Sequence, residues 1–461
     1  MRINTNMSAL RSCYQLSKAN ERLATSLERL SSGYKINSAE DNPVGASMSQ
    51  KMKTQLRGLD RAIQNASDGI SVVETAEGAL NEITEMVQRM SELAIQGANG
   101  TMSAQDRQSI MDEVEQLQSE IDRISSDTEF NTRGLINGEL SRKSYTDVAG
   151  ISVSYISEAV VSGKYELKIN AEATYAQITS GAVAIPASGM DVEGTFTVNG
   201  ENVKIEIGDT TDMVLEKIKS VADLSDITVN FDGTNITFIS DIPGSNYPIE
   251  INCTQELADR LGVDMSMLAE GTDADVEPDL TNAFKFPAST TVEVDGNNIK
   301  LSASGGFEMR INIDEGMATL GDSVFITALD VGTMAIQMGA NEGQIMEINI
   351  PEVSCKAMGI DKLNLHTEAG CDRAIEMCSE ALSYISSVRS KLGAYANRME
   401  HAVESLDVTN ENLTQALSRI EDTDMAKEMT TYTSQNVITQ AATSMLSQAN
   451  QMPEKVLQLL Q

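Results

Sequence analysis

Apolar residues recur at three- and four-residue intervals at both ends of the chain and at two-residue intervals in its middle. The pattern predicts helix, then strand, then helix. Residues 1–32 hold no Gly and no Pro, and Cys13, Leu16, Asn20, Leu23, Leu27, Leu30 and Tyr34 trace a heptad seam with one polar Asn. Gly33 and the stretch Ser38-Ala-Glu-Asp-Asn-Pro-Val-Gly45 predict a break. Helix is expected again from Ala46 to Gln96, across Gly58, Gly69 and Gly78. After a turn at Gly97-Ala-Asn-Gly100, Ser103 is placed to cap a third helix. Its apolar face is Ile110, Val114, Leu117, Ile121 and Ile124, and it ends before Phe130-Asn-Thr-Arg-Gly134.

The C-terminal end mirrors this. A helix is expected from near Glu368, through Ile375, Leu382, Ile385, Val388 and Leu392. The 59 residues 394–452 contain neither Gly nor Pro, which allows about 90 Å of unbroken helix. Val403, Leu406, Asn410, Leu413, Leu417 and Ile420 repeat at heptad spacing, again with one Asn. Matching seams at the two ends imply a partner for each, either the other terminus or a neighbouring chain, and the sequence leaves both open.

Between the helical ends, Thr195–Ile207 predicts a hairpin turning at Asn199-Gly200, and Ile227–Ile239 another turning at Asp232-Gly233. Asp212–Val221 reads as a short amphipathic helix, and Thr291–Leu301 as a third hairpin. The expected fold class is therefore mainly α with an α+β insert: long terminal helices packed as a coiled-coil-like bundle, and a β-hairpin-rich outer domain.

Charge sharpens this division. The chain has 461 residues and a net charge of -34, of which residues 141–340 carry -20, against -6 before and -8 after them. So acidic a chain is not a nucleic-acid binder and does not dock on anionic lipid. No apolar run is long enough to span a bilayer, and the first residues lack the apolar core of a secretory signal, so the chain is expected to be cytoplasmic or to leave the cell by another route. Aromatic content is 4% with no Trp, low for one large globular core, while 8 Pro suit long helices.

Little in the sequence points to catalysis. The chain lacks HExxH, CxxC, GxGxxG and GxxxxGK[ST], which removes the common zinc and phosphate-binding signatures and leaves no metal or cofactor expected. His366 and His401 read as structural. Asp273, Asp275, Glu277 and Asp279 form an acidic run that lacks the Gly and terminal Glu of an EF-hand. Five Cys at irregular spacing do not form a disulfide framework, and Cys371 and Cys378, on one helix, lie too far apart to bridge. No enzyme is expected.

The ends also carry long ordered strings that resemble bacterial flagellins. MRINTNMSAL, LERLSSGYKINSAEDNPVG, LRGLDRAIQNASDGISVVETAEGALNE and ELAIQGANGT are similar to the family's N-terminal blocks. IQMGANEGQIMEINI, KLGAYANRMEHAVESL, ENLTQALSRIEDTDMAKEM and QAATSMLSQANQMPEKVLQLLQ are similar to its C-terminal ones. The resemblance implies a filament subunit whose residues 1–45 and 421–461 form inner-tube helices and whose residues 46–140 and 341–420 form the outer-tube domain. Residues 141–340 would be a variable, surface-exposed α+β region.

It further implies a homopolymer with a helical filament, export by the flagellar type III apparatus, and a secreted, extracellular place in the bacterial flagellum. Its partners would be an export chaperone and the hook-associated and cap proteins. The seams Leu16, Leu23, Leu27, Leu30, Leu413, Leu417 and Ile420 would hold the polymer together. In the family, the first outer-tube helix is read by a host innate receptor, Toll-like receptor 5. The match of Gln88–Gln96 to that motif implies contacts from Gln88, Arg89 and Leu93, with Glu113 on the next helix. A second Arg of the family motif is Ser91 here, Pro43 enters the DDAAG-like segment, and the last residue is Gln461 where many relatives end in Arg. Two alternatives share these features: the hook–filament junction protein, with similar ends, and an adhesin displayed on the filament.

Overall fold

The computed structural model describes residues 6–157, 159–186, 189–280, 286–314, 323–329 and 331–459, with side chains to 452 in the last segment. The first five residues and the side chains of the closing VLQLLQ lie outside the described residues. The described helices are α1 (Met7–Ser32), α2 (Pro43–Gly97), α3 (Ala104–Asp127), α4 (Thr211–Ala222), α5 (Gln255–Leu261), α6 (Cys355–Met358), α7 (Glu368–Glu421) and α8 (Met425–Leu459). The chain divides into two compact units, one of residues 1–67, 337–345 and 400–461, the other of 68–336 and 346–399.

In the first unit, α1 pairs with α8, and the start of α2 with the end of α7. Asn6 caps α1 by accepting from the Ala9 N–H at 3.1 Å, and Gly33 ends it at φ 78°. The predicted break between α1 and α2 is built from side chains. Asp41 accepts from the Asn37 and Ser38 amides, both at 3.1 Å, which holds its carboxyl below the usual range. Asn42 accepts from the Gly45 amide at 3.0 Å, and Pro43 is the first residue of α2. Pro43 thus starts a helix, where its missing N–H costs nothing. On the seam of α7, Val403, Leu406, Leu413, Leu417 and Ile420 are half-buried, and Asn410 donates to Asp60 at 2.6 Å. The lone polar position finds a specific partner, which fixes the register of the pair.

The expected continuous helix from 394 to 452 is interrupted. Asp424 accepts from the Ala426 and Lys427 amides at 3.0 and 3.1 Å and starts α8 afresh. The connector is bound by the chain after α1: Lys35 donates to the Glu421 carbonyl at 2.6 Å and Thr423 to the Gly33 carbonyl at 2.9 Å. The run Asp422-Thr423-Asp424 offers side-chain acceptors that compete with the helical backbone, so the helix breaks there without Gly or Pro.

The second unit has a helical stem. On α2, Gly69, Val73, Ala76, Leu80, Ile83, Val87, Met90, Ala94 and Gly97 are buried in strict four-three alternation, and Cys371, Ala374, Cys378, Ala381, Ile385, Val388, Leu392, Tyr395 and Met399 do the same on α7. The two run antiparallel. A side chain at Gly97 would meet Cys371 Sγ, one at Gly69 would meet Met399 Sδ, and Arg389 pairs with Glu77 at 3.7 Å. Glycine at 97 thus serves close approach of backbone and thiol rather than flexibility. Ser103 and Asp106 cap α3 reciprocally, as a capping box.

The seven-residue separation of Cys371 and Cys378 is thus a heptad core repeat. Burial raises both thiols to about 11, and Cys355, Cys371 and Cys378 lie in the stem core. Of the five free thiols only Cys13 is exposed. Alkylation of the native monomer without reductant should label Cys13 within minutes and the other four only after unfolding. Rapid labelling of Cys371 would contradict this packing.

The insert leaves the stem at a neck, where Leu329 donates to the Lys143 carbonyl at 2.9 Å and Lys143 to the Val331 carbonyl at 2.9 Å. It holds two subdomains, one inserted in the other. The inner one has two four-stranded antiparallel sheets. One comprises Asp275–Pro278, Gly163–Ala171, Ser323–Ala328 and Ser144–Thr146 in that order; the other, Thr291–Asp295, Asn298–Ala303, Phe307–Ile313 and Ile151–Ile156. They share a core of Tyr165, Leu167, Phe286, Leu301, Phe307, Met309 and neighbours. The outer subdomain has its own core around Phe196, Phe238, Ile218 and Leu257. It contains a four-stranded sheet (Ser266–Ala269, Ile249–Cys253, Gly194–Val198, Glu201–Ile205) and a three-stranded one (Gln177–Thr179, Ile236–Ser240, Ile227–Phe231), with α4 and α5. All three predicted hairpins are present, with Gly200, Gly233 and Gly296 at positive φ in their turns, and the predicted short helix is α4.

Candidate assembly surface and receptor-facing patch

The α1–α8 pair is thin. The side of α1 turned to α8 carries Ala9, Ser12, Leu16, Ala19, Leu23, Ser26 and Leu30, and the facing side of α8 carries Glu428, Tyr432, Gln435, Thr439, Ala442, Leu446 and Ala449. Ser26 donates to Glu428, and the Asn6 amide reaches the Ala449 carbonyl at 2.9 Å. Relative to the expected seam, Leu16, Leu23 and Leu30 are half-buried here, but Cys13, Asn20 and Leu27 are exposed, and small residues take their places. Small residues let the two helices approach closely, and Leu10, Tyr14, Leu27, Val437, Ile438 and Met445 turn outward.

That outward face is extensive. Leu10, Tyr14 and Leu27 on α1 are 64%, 68% and 55% exposed, and Val437, Ile438 and Met445 on α8 are exposed too. Leu10, Cys13, Tyr14, Ala442 and Met445 line a shallow open groove. Exposed apolar surface on this scale, on two helices with a mostly small and polar mutual interface, marks a surface made to be covered.

A second patch lies on the stem, where α2 and α3 run side by side. Arg89 forks onto Glu113, with Nε and Nη2 at 3.0 and 2.9 Å from Oε1, and its Nη1 reaches Glu92 at 3.3 Å. The Glu113 hydrogen bonds raise the Arg89 guanidinium above its ordinary range, keeping it charged. Gln88, Arg89 and Glu113 are exposed and on one surface. Leu93 is not: it is 2% exposed and packs in the stem core. Its position follows from helical spacing, since Met90, Leu93 and Ala94 share the buried stripe. The exposed apolar residue of this helix face is Ile95, which sequence reasoning missed; its position seven residues after Gln88 would have revealed it. Leu93→Ala should therefore destabilise the stem by about 2–5 kcal/mol, while Arg89→Ala leaves the melting curve nearly unchanged. Equal melting of the two variants would show the burial to be wrong.

The acidic run does not converge. Asp273 spends its carboxylate on the Ser245 amide (2.9 Å), the Ser245 hydroxyl (2.5 Å) and the Gly296 amide (3.1 Å), while Asp275 and Glu277 alternate outward on a strand. Among the described residues no group of three or more His, Cys, Asp or Glu could hold a metal ion. His401 is exposed beside Glu404 at 3.4 Å.

Comparison with known proteins decides the family. The bacterial flagellin N-terminal helical region matches residues 3–141 and the C-terminal helical region matches 375–460. Flagellin A of Vibrio anguillarum is 31% identical over 459 residues, covering 100% of this chain and 99% of that protein. The chain belongs to the bacterial flagellin family. Flagellin D of the same organism is 32% identical and flagellin D of Vibrio cholerae 31%, each covering 99% of both chains. A solved flagellar junction protein, FlgL of Legionella pneumophila, aligns with 82% of this chain and 100% of its own at 15% identity, but with a TM-score of 0.28, too low to define a shared architecture. As a flagellin, the chain is a structural subunit of the flagellar filament and not an enzyme. No helix among the described residues is long and apolar enough to cross a membrane.

Proposed function

We propose that the chain polymerises through the outward faces of α1 and α8, with residues 1–45 and 421–461 as inner-tube helices and residues 46–140 and 341–420 as the outer tube. Residues 141–340 project from the filament as an acidic surface domain. The observation that carries this reading is the outward display of Leu10, Tyr14, Leu27, Val437, Ile438 and Met445 on a helix pair that its own chain leaves open. The seams of Leu16, Leu23 and Leu30 and of Leu413, Leu417 and Ile420 hold each subunit in the shape that presents this face. Replacing Leu10, Tyr14 and Leu27 together by Gln should leave the stem folded and prevent filament growth seeded on existing fragments. Normal growth of that variant would remove the α1 face from the assembly surface.

The same reading includes export through the flagellar type III apparatus, transient cover of the terminal helices by an export chaperone, and contact with the hook-associated and cap proteins at the ends of the filament. Long helices with a thin mutual interface suit passage as an unfolded chain, because little tertiary structure must be broken. The extracellular filament is then where the chain resides.

The stem patch fits host recognition by Toll-like receptor 5. Arg89 and Glu113 present a charged fork, and Gln88 and the exposed Ile95, seven residues apart, share a line along α2, together the kind of surface that supplies binding hot spots. Arg89→Ala with Glu113→Ala should lower affinity for the receptor ectodomain at least tenfold with an unchanged melting curve. Unchanged affinity would take this patch off the receptor interface.

A further inference from the structure

The outer subdomain joins the inner one through two adjacent connections and touches the stem at two other places, one of them the pairing of Glu201 with Arg107 of α3 at 3.5 Å. At the connections, Thr174 and Thr272 form an isolated antiparallel bridge: Thr174 donates to the Thr272 carbonyl at 2.8 Å, the Thr272 amide to Thr174 Oγ1 at 3.0 Å, and the two hydroxyls meet at 2.8 Å. A two-residue bridge is a narrow attachment for a subdomain with its own core, so something else must set its angle.

The loop Asp241–Pro248 does so. Its Gly244 amide donates to the Thr174 carbonyl at 3.2 Å, beside the bridge. Its Ser245 binds Asp273 through amide and hydroxyl, and its Asn246 donates to Asp295 at 2.8 Å on the inner subdomain. The Asn246 carbonyl accepts from Arg373 of α7 at 3.3 Å, and the Arg373 guanidinium lies over the Tyr247 ring at 5.0 Å. Beside it, Asn364 of the stem donates to Asp226 at 2.6 Å and to the Leu224 carbonyl at 3.0 Å. One short loop therefore touches the attachment, the inner subdomain and the stem.

The charge at this joint favours opening, and its packing makes it sensitive to substitution. It is electrostatically lopsided: Asp226, Asp241, Asp295 and Asp361 act on Asp226 or Tyr247, and Arg373 is the guanidinium they share, with His366 nearby. Burial pushes the Asp226 carboxyl and the Tyr247 phenol up, as expected where carboxylates are crowded and partly dehydrated. The joint is also sterically tight. Gly244 has φ +128°, and a Cβ there would stand 2.9 Å from Gly296 Cα, a backbone contact that cannot yield cheaply.

The inner subdomain meets the stem through a contact of a different kind. There Tyr155 and Tyr384 meet edge-to-face at 5.9 Å, Arg310 stacks on Tyr384 at 4.7 Å, Lys391 reaches the Tyr155 hydroxyl, and Tyr384 donates to the Glu352 carbonyl at 2.8 Å. Both tyrosines are buried, so this contact is aromatic and dry where the other is polar and half-exposed.

We propose that the loop Asp241–Pro248 is a releasable clasp that locks the outer subdomain onto the start of α7, with Arg373 as its bolt and the Thr174–Thr272 bridge as the hinge about which the subdomain swings when the clasp opens. The Tyr155–Tyr384 contact keeps the inner subdomain fixed throughout. The clasp sets the angle at which the acidic outer subdomain is carried, independently of what the terminal helices do.

The test is made on the full-length monomer with Arg373→Gln and, separately, Gly244→Ala. In both variants amide exchange across 241–248 should speed up about tenfold or more, the largest dimension in solution scattering should grow, and calorimetry should show the outer subdomain melting apart from the stem. Exchange in Phe307–Ile313 should not change. If Gly244→Ala fails to fold, Arg373→Gln, a half-exposed substitution, still decides. Wild-type exchange, dimension and melting in Arg373→Gln would overturn the proposal, as would equal acceleration in Phe307–Ile313, which would mean general loosening rather than release of a clasp.

Discussion

Removing α1, by deleting residues 1–35, or removing most of α8, by deleting the last 35 residues, should abolish filament formation while leaving the stem folded. The stem core of Leu80, Ile83, Val87, Met90, Ile385, Val388 and Leu392 lies in the second unit and uses no residue of α1 or α8. The outward apolar side chains do the reverse: they contribute little to the single chain and become buried when chains meet. Six such side chains, if half-buried on assembly, contribute on the order of 5–9 kcal/mol per subunit. Association itself costs about 4–15 kcal/mol in lost freedom. Assembly is then favourable only when both helices are present and several neighbours share the cost. Circular dichroism should show the stem helices retained in each truncation, and sedimentation should show no polymer. Pelleting filaments from either truncation would contradict the assembly surface.

Excising the insert should have the opposite outcome. Lys143 and Leu329 are hydrogen-bonded at the neck, so residues 144–328 leave and return at one point, and a short Gly/Ser linker can close the gap. The two cores removed are those of the inner and outer subdomains, and neither contains a residue of the stem. The variant should polymerise into thinner filaments, and it loses most of the chain's net negative charge. Failure to polymerise, with a folded stem, would mean that the insert takes part in assembly.

The helices were legible because their signals are local. Ser103 at the start of α3, Gly33 at the end of α1, and the heptad spacing on α1 and α7 each act within a few residues. The turns of the three hairpins were legible for the same reason, since Asn199-Gly200, Asp232-Gly233 and Gly296 select positive φ. The strands that escaped pair across long stretches of chain. Phe307–Ile313 alternates cleanly, yet it lies beside Ile151–Ile156, and Gly163–Ala171 lies beside Ser323–Ala328. No turn residue announces those two pairings, although Phe307–Ile313 also pairs with Asn298–Ala303 through a turn at Gly305-Gly306, a local signal that sequence reasoning missed.

The seam of α1 shows a different limit. The spacing of Cys13, Asn20 and Leu27 is as regular as that of Ser12, Ala19 and Ser26, and a leucine draws attention that a serine does not. The helix nevertheless turns Ser12, Ala19 and Ser26 to α8 between Leu16, Leu23 and Leu30, because close approach of two backbones needs small residues, and leaves Leu10 and Leu27 outside. Leu93 illustrates the same point on the stem: a motif places it among exposed neighbours, while the three- and four-residue spacing of Met90 and Ala94 assigns it to the core.

If the filament covers the outward faces of α1 and α8, polymerisation must slow amide exchange there. Hydrogen exchange can be followed on the same full-length chain as monomer and as purified filament. Residues 7–32 and 425–452 should exchange quickly in the monomer, where the thin helix pair opens readily, and at least about a hundredfold more slowly in the filament. The stem stripe 69–97 should be protected in both. Equal exchange of the terminal helices in the two states would contradict the account, because it would mean that the polymer is held together elsewhere.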